Sequence, residues 1–206
     1  MNPIISQATI ERLALYLRFL RSAQEDGIQI ISSKDMGKRL DITPVQIRKD
    51  LALFGQFGMK GIGYYTTELV NKIENILGLN KHWHMAIIGV GHLGGALANY
   101  KNFVVNGFRL MALFDKDFRI IGSTVNGVKV SDIKNLKSIV MNRDIDIGVI
   151  TVPAIEAQSV ANQLVDAGVK GIWNFAPIKL VVPPEIHLLD EDLAMDLNTL
   201  SYHISN

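Results

Sequence analysis

Six residues with the spacing of a phosphate-binding turn follow a short apolar run, as Gly89-Val90-Gly91-His92-Leu93-Gly94. A turn of this spacing between a strand and a helix binds the pyrophosphate of a dinucleotide. Gly89 would make the tight turn, Gly91 would let the backbone approach the phosphates, and Gly94 would let the helix pack closely on the strand. The first N–H groups of the helix would face the phosphate charge. We therefore predict that all six residues belong to a dinucleotide site.

An acidic residue, Asp115, lies 21 positions after Gly94 and closes the apolar run at 110–114. A carboxylate at the end of the second strand accepts hydrogen bonds from ribose hydroxyls and repels a 2′-phosphate. The sequence therefore predicts NAD(H) as the ligand in preference to NADP(H). The alternative is a Rossmann-like fold that binds no nucleotide.

No acid–base residue follows the predicted central strands, where a dehydrogenase would need one beside the nicotinamide. The histidines stand instead at 82, 84, 92, 187 and 203. The strand ends carry apolar segments, Thr151-Val152-Pro153 and Asn174-Phe175-Ala176-Pro177. We predict that Val152, Pro153 and the four residues 174–177 cover a nicotinamide ring without catalysing a reaction. A small NAD(P)-dependent oxidoreductase with an accessory helical domain is the alternative.

A helix-turn-helix pattern lies in a basic stretch at 33–61, which holds six Lys and Arg against three Asp and Glu. Thr43 is an N-cap, Pro44 fits the first helical position, and Gln46 either completes a capping box or contacts a base. Arg48 and Lys49 fall in the part of the helix that enters the major groove of DNA. We predict DNA contacts for all five, with Arg48 on a base edge and Lys49 on phosphate. An ordinary solvated helix face is the alternative.

Glycines interleaved with apolar residues follow this helix, which suggests a small hairpin, or wing. Lys60 at its tip could reach the minor groove or its phosphates, and Gly61 would allow a close approach. Tyr64 fits either the core or a phosphate contact. These three residues complete the predicted DNA-binding surface.

The character of the chain changes near residues 78–81, from helical spacing to apolar runs that alternate with helices. Runs at 85–89, 109–115, 147–152 and 171–174, with helices at 92–101 and 155–167, indicate a parallel sheet with crossover helices. Asn126-Gly127 marks an inserted hairpin. We predict an α/β chain with a winged-helix DNA-binding domain at 1–80, a Rossmann NAD(H)-binding domain at 81–188 and a C-terminal helix at 189–206.

Composition excludes several other classes of protein. The chain has no cysteine, which rules out disulfides, thiolate zinc sites and a cysteine redox switch. No apolar run reaches the roughly 18 residues of a membrane helix, and arginines interrupt the N-terminal run. His82 and His84 lack a nearby carboxylate or thiolate, so we expect no metal. The sequence predicts a cytoplasmic protein without a membrane partner.

Together these motifs resemble the Rex family of redox-sensing repressors over nearly the whole chain. The segments that carry the resemblance occur in family order and are 46–51, 54–58, 61–64, 89–94, 96–100, 114–117, 151–153, 174–177 and 192–193. The resemblance implies a repressor that binds palindromic operator DNA and that NADH releases. NAD⁺ would compete for the site but leave DNA binding intact. It also places Lys116, beside Asp115, at the cofactor site.

The resemblance further implies a homodimer whose terminal helices are exchanged between subunits. Carried over by motif, Arg18, Tyr100 and Asp192 of the partner subunit would form a polar cluster that differs between the two states. A cation, a phenol and a carboxylate can exchange partners as subunits rotate. From residue types alone, Arg18 and Asp192 could equally form ordinary surface ion pairs.

Three positions depart from the family pattern. Phe118 replaces a frequent proline, Trp173 replaces a small aliphatic residue, and Gly95 stands where a basic residue is common. None of them removes a predicted phosphate or ribose contact. A winged-helix regulator that senses NADP(H) or an adenosine nucleotide is a second alternative, and Asp115 argues against the 2′-phosphate of NADP(H).

Overall fold

A computed structural model describes residues 5–59 and 61–205, and the chain divides into two compact units, Met1–Lys81 and His82–Asn206. The elements of the first unit are α1 (Gln7–Glu25), β1 (Ile30–Ile31), α2 (Ser33–Leu40), α3 (Pro44–Ala52), β2 (Tyr64–Tyr65) and α4 (Thr66–Ile76). Its core forms where apolar residues at helical spacing meet. The buried residues at its centre are Leu13, Tyr16, Leu20, Met36, Ile47, Leu51, Leu69 and Ile73.

The helix pair α2–α3 begins at side-chain caps that the sequence predicts. The Ser32 hydroxyl accepts a hydrogen bond from the Asp35 N–H at 3.1 Å, and the Thr43 hydroxyl accepts one from the Gln46 N–H at 3.2 Å. A Cβ on Gly37 would lie 2.5 Å from the carbonyl oxygen of Ile42, so glycine inside α2 lets the turn fold tightly onto the helix. The helix α3 ends at Ala52.

The wing is a tight turn closed by two backbone hydrogen bonds between Met59 and Gly63, of 2.9 and 3.1 Å. Tyr64 and Tyr65 then pair with β1 in antiparallel register. A Cβ on Gly63, whose φ is +115°, would lie 2.6 Å from the carbonyl oxygen of Ile31. The glycine therefore permits the wing to leave the sheet. β1 was not predicted, because two residues are too few to show alternation.

The second unit is an open sheet with helices. Its elements are β3 (Trp83–Ile88), α5 (His92–Ala98), α6 (Asn102–Val105), β4 (Phe108–Asp115), β5 (Thr124–Val125), β6 (Val128–Asp132), α7 (Leu136–Asn142), β7 (Ile147–Ile150), α8 (Ala154–Asp166), β8 (Gly171–Asn174), β9 (His187–Asp190) and α9 (Leu193–Ser205). The predicted hairpin turn at Asn126-Gly127 joins β5 to β6, with φ values of +49° and +76°.

The strands are ordered β5-β6-β4-β3-β7-β8-β9, and all pairs except β5–β6 are parallel. The chain passes from β3 outward to β4 and β6, then returns to β7 on the other side of β3. This is the doubly wound order of dinucleotide-binding folds, which leaves a crevice at the carboxyl ends of β3 and β7. The predicted parallel sheet with crossover helices is confirmed.

The largest difference from the predicted elements lies at the C-terminus. Residues 187–190 add β9 to the sheet edge, although the terminal helix is predicted to begin at 189. The helix α9 starts at Leu193, after the Asp192 carboxylate accepts a hydrogen bond from the Ala194 N–H at 2.9 Å. Leu197 and Leu200 on α9 are 65% and 53% exposed. No helix in the described ranges is long and apolar enough to cross a membrane.

Candidate nucleotide-binding and DNA-binding sites

A cleft of about 650 Å³ opens at the crevice between β3, β4 and β7. Six predicted site residues line it, and they are Gly89, Gly91, Asp115, Lys116, Val152 and Pro153. Side chains from the start of α8, among them Ile155 and Glu156, form the opposite wall. The remaining predicted residues lie behind or beside the cleft. The cleft is thus lined by loops that follow three different strands.

The glycine turn has the geometry that its spacing predicts. Gly89 has φ +97°, and its N–H donates to the Phe114 carbonyl at 2.8 Å. A Cβ on Gly94 would lie only 1.9 Å from the Gly89 carbonyl oxygen, so only glycine lets α5 pack so closely on β3. A Cβ on Gly91 would meet no atom within 4 Å, because this glycine faces the cleft. His92 is exposed, while Val90 and Leu93 are half-buried.

Thr151 stabilises this turn from the neighbouring strand. Its hydroxyl can donate a hydrogen bond to the Gly89 carbonyl oxygen, 2.7 Å away, or to the Ile88 carbonyl oxygen, 3.1 Å away. In the sequence, Thr151 belongs to a predicted apolar segment, and no role was predicted for it. Its signal was its position directly after β7, at the carboxyl edge of the sheet.

Asp115 is oriented toward the turn by two backbone donors. Its carboxylate accepts a hydrogen bond from the Val90 N–H at 2.6 Å and another from the Asp117 N–H at 2.9 Å. A carboxylate has further lone pairs, so both oxygens can also accept from ribose hydroxyls. The predicted acidic residue therefore stands between the phosphate-binding turn and the cleft.

The Lys116–Glu156 ion pair borders this part of the cleft, and a second ion pair, Arg119–Asp117, lies in the same loop after β4. The Lys116 ammonium lies 2.5 Å from the Glu156 carboxylate of α8. The Arg119 guanidinium contacts both oxygens of the Asp117 carboxylate, at 2.5 to 3.0 Å. Hydrogen bonds from the Arg119 side chain and backbone lower the pKa of Asp117 to about 2. Both cations of the loop after β4 are therefore already paired with carboxylates.

Asn174 corrects one predicted contact. Its side chain is fully buried, donates to the carbonyls of Ala176 and Ile178 and to Asp190, and accepts from the Ala176 N–H. With its polar atoms used internally and no exposed surface, it shapes the loop that follows β8 instead of facing a ligand. Ala176 is likewise buried and Pro177 is exposed.

Four aromatic rings run from this loop across the sheet. Phe175 packs on Trp173 with ring centroids 4.5 Å apart, Trp173 meets Phe103 edge-on at 6.1 Å, and Phe103 meets Tyr100 edge-on at 5.1 Å. The indole Nε1 of Trp173 is buried and has no hydrogen-bond partner among the described residues. The aromatic row thus connects a residue predicted to cover nicotinamide with one predicted to act in the switch.

The predicted DNA contacts on α3 divide into exposed and internal groups. Arg48 and Lys49 are exposed, and the Arg48 guanidinium donates to the Ser33 hydroxyl of α2 at 2.9 Å. Gln46 does not complete the capping box, because its side-chain amide donates to Asp50 at 2.7 Å. Thr43 is an exposed cap, followed by the half-buried Pro44.

In the wing, Tyr64 belongs to the core, with 8% of its surface exposed. Its burial raises the pKa of its hydroxyl, an effect that the nearby charge of Arg48 opposes. Gly61 is exposed with φ +83°. Lys60 lies outside the described residues.

Asp50 is the functional candidate that the sequence analysis missed. It is 2% exposed and accepts from Arg12 Nε at 2.6 Å, Arg12 Nη2 at 2.7 Å, the Tyr16 hydroxyl at 2.7 Å and the Gln46 amide. Its signal was its helical spacing, three residues after buried Ile47 and next to Leu51. This network, which we call the Asp50 network (Arg12, Tyr16, Gln46 and Asp50), ties the predicted recognition helix to α1.

The three predicted switch residues are all exposed. Arg18 lies on α1 of the first unit, whereas Tyr100 and Asp192 lie in the second. The Tyr100 hydroxyl accepts a hydrogen bond from the Asn102 amide at 3.1 Å. The described residues contain no group of three or more His, Asp or Glu side chains that could hold a metal ion.

Comparison with known proteins finds relatives across the whole chain. Residues 4–52 match the family described as putative DNA-binding protein N-terminus, and residues 80–178 match the CoA binding domain family. The redox-sensing transcriptional repressor Rex of Syntrophobacter fumaroxidans is 45% identical over 202 residues, covering 98% of this chain and 96% of the relative. The Clostridium perfringens repressor Rex is 44% identical, with coverages of 98% and 95%.

Solved structures agree with the sequence relatives. RSP in complex with β-NAD⁺ and operator DNA matches with a TM-score of 0.94 and 41% identity, over 98% of this chain and 93% of that one. RSP, a Rex-family repressor, in complex with β-NADH matches with a TM-score of 0.91 and 39% identity, over 98% and 94%. Identity at this level over nearly full length places both units in one family. The chain belongs to the Rex family of redox-sensing transcriptional repressors.

Proposed function

We propose that this chain represses transcription by binding operator DNA and that NADH releases it, so that gene expression follows the NADH/NAD⁺ ratio. The observation that carries the proposal is the near full-length match to a repressor solved with β-NAD⁺ and operator DNA and with β-NADH. The relatives are regulators and not enzymes, which agrees with the absence of an acid–base residue in the apolar segments after β7 and β8.

The residues of the cleft fit NAD(H). The turn at 89–94 would hold the pyrophosphate, because Gly91 leaves open space beside the backbone. Asp115 would accept from the adenosine ribose. Val152, Pro153 and Phe175 offer apolar surface for the nicotinamide, and the charged ring of NAD⁺ costs more to desolvate there than the neutral ring of NADH. This difference supports a preference for NADH.

The DNA-binding function belongs to residues 1–80, with 81–188 as the sensor and 189–206 as a terminal helix. Arg48 and Lys49 present two exposed cations on α3, which the Asp50 network fixes to α1. Arg48 would read a base edge and Lys49 would contact phosphate. Lys60 and Gly61 of the wing would add a minor-groove or phosphate contact.

The repressor would act as a homodimer on a palindrome. Leu193, Leu197 and Leu200 of α9 are each more than half exposed, an apolar surface that a second subunit would cover. Arg18, Tyr100 and Asp192 of the partner subunit would change contacts as the subunits rotate. Changing Leu197 and Leu200 together to Lys should yield a monomer in analytical ultracentrifugation, while the exposed Leu53→Lys change should not. A monomeric parent chain would contradict the dimer.

The test of the function is fluorescence anisotropy of a labelled palindromic operator with the purified chain, titrated with NADH and separately with NAD⁺. We expect NADH to release the DNA and NAD⁺ to leave it bound. If both nucleotides released the DNA, the proposal that the chain senses the NADH/NAD⁺ ratio would be overturned. DNA binding that neither nucleotide alters would mean that the second unit senses another ligand.

A further inference from the structure

We propose that the ion pairs Lys116–Glu156 and Arg119–Asp117 determine the preference for NAD(H) over NADP(H), by neutralising the two cations that would otherwise attract a 2′-phosphate. The inference rests on the proposed function, because it assumes a dinucleotide whose adenosine ribose lies beside Asp115. The preference for NAD(H) would then depend on several charges near Asp115 and not on the Asp115 carboxylate alone.

Lys116 is the cation best placed to receive a phosphate. It follows Asp115 directly, and it is the one cation among the described residues that line the cleft. Its ammonium is held 2.5 Å from Glu156, which also lines the cleft. Proteins that bind NADP(H) in this fold use a nearby cation to accommodate the 2′-phosphate. Here the same position carries a cation that a carboxylate has already paired.

Glu156 is the less exposed partner of this ion pair. It lies in the first turn of α8, where the helix dipole favours a negative charge. Its side chain is 29% exposed, whereas that of Lys116 is 65% exposed. The carboxylate is therefore the better fixed partner, and the longer side chain reaches it across the cleft wall.

Arg119 repeats the arrangement three residues later. Its guanidinium and its backbone N–H both donate hydrogen bonds to the Asp117 carboxylate, so both partners of this ion pair lie within the loop. Asp117 also donates its N–H to Asp115, so the pair is anchored to the ribose-binding carboxylate. A 2′-phosphate at Asp115 would thus meet three carboxylates and no unpaired cation from this loop.

The first variant is Glu156→Gln, which keeps the size of the side chain and releases Lys116. We expect the ratio of NADPH affinity to NADH affinity, measured by calorimetric titration, to rise roughly fivefold, the effect of one unit charge at contact distance in water. Asp117→Asn should raise the ratio in the same direction by releasing Arg119. Both increases should shrink at high ionic strength, because salt screens exposed charges.

Two further variants separate this cause from others. Glu156→Gln combined with Lys116→Gln should return the ratio to its parental value, because the released cation is gone. Glu185→Gln removes an exposed carboxylate outside the cleft and should leave the ratio unchanged. Thermal unfolding of each variant checks that the fold is kept.

An unchanged ratio in both Glu156→Gln and Asp117→Asn would overturn the proposal, as would a rise that persists when Lys116 is also removed. Failure of the proposed function looks different, because the unaltered chain would then bind neither NADH nor NADPH. The two failures are therefore distinguished by the first titration of the parental protein.

Discussion

Asp50 shows how a single buried carboxylate can hold a DNA-binding surface in place. Desolvation, the largest influence, would raise the pKa of Asp50, but hydrogen bonds from Arg12, Tyr16 and Gln46 outweigh it and lower that pKa. Burial also raises the pKa of Tyr16, which therefore stays a neutral donor. The carboxylate is ionised and fully satisfied, so the network joins α3 to α1 without an unpaired charge.

We expect Asp50→Asn to lower the free energy of unfolding by about 2–4 kcal/mol, because a buried charge partner of Arg12 is lost. The difference in free energy of unfolding between parent and variant should have its full size above pH 3.8, the ordinary pKa of aspartate, and should decrease below that pH. The stability depends on pH in this direction because a carboxylate whose pKa is lowered in the folded state stabilises the fold only while it is ionised. Urea unfolding from pH 3 to pH 7 measures this, with exposed Glu25→Gln as control. A difference that does not change with pH would contradict the assignment.

Gly91 and Gly94 lie three residues apart but should respond to alanine in different ways. Gly94→Ala puts a Cβ 1.9 Å from the Gly89 carbonyl oxygen, so we expect it to destabilise the second unit by about 1–3 kcal/mol, the usual effect of overpacking. Gly91→Ala meets open space, so we expect normal stability with NADH affinity at least about tenfold weaker, because the methyl group occupies the phosphate position. Thermal unfolding and NADH titration separate the two. Equal effects on stability would contradict the proposed roles.

The site residues were predictable where backbone spacing determines them. The glycine turn and Asp115 follow from a strand, a turn and a second strand at set intervals. The hydrogen bonds of Asn174 and Thr151 were not predictable, because they depend on carbonyl groups brought close only by the folded sheet. The hydrogen bond from Gln46 to Asp50 was not predictable for the same reason, since Asp50 is buried by α1, far away in sequence.

At the scale of elements, we expect the two exposed cations of α3 to have different roles in DNA binding. We expect Lys49→Ala to weaken binding similarly for all sequences and to reduce the salt dependence of affinity by about one charge. Arg48→Ala should cost about 1–3 kcal/mol and relax specificity at one base pair. Anisotropy with matched and mutated operators at several salt concentrations measures both. Exposed Lys72→Ala on α4 is a suitable control, and identical behaviour of the two α3 variants would argue against separate roles.

Helices and central strands that are long and strongly patterned were predictable, as in α8 and β4. The two-residue strands β1 and β5 were too short to show a period. β9 was missed because the residues before α9 continue the apolar spacing of that helix. Only their pairing with β8 identifies them as a strand. Tertiary contacts thus decided the elements at the sheet edge.

At the scale of the whole molecule, we expect DNA and NADH to bind different units of one chain, and the effects of the two ligands on each other's binding must then be reciprocal. If NADH weakens operator binding by some factor, the operator must weaken NADH binding by the same factor. We expect a factor of about 5–150, the range typical of allosteric coupling. Anisotropy for DNA and calorimetry for NADH, each with and without the other ligand, measure it. A factor close to one in both measurements would contradict the coupling of the two sites.

The aromatic row that includes Trp173 gives the protein an optical property. Reduced nicotinamide absorbs light where indole emits, and oxidised nicotinamide does not, so energy transfer would quench Trp173 with NADH and spare it with NAD⁺. Because Trp173 packs against Phe175 on one side and, through Phe103, toward Tyr100 on the other, its emission would sense both the cleft and the neighbourhood of the switch residue. The chain has one other tryptophan, Trp83, so Trp83→Phe would leave a native fluorophore that follows the redox state without a label.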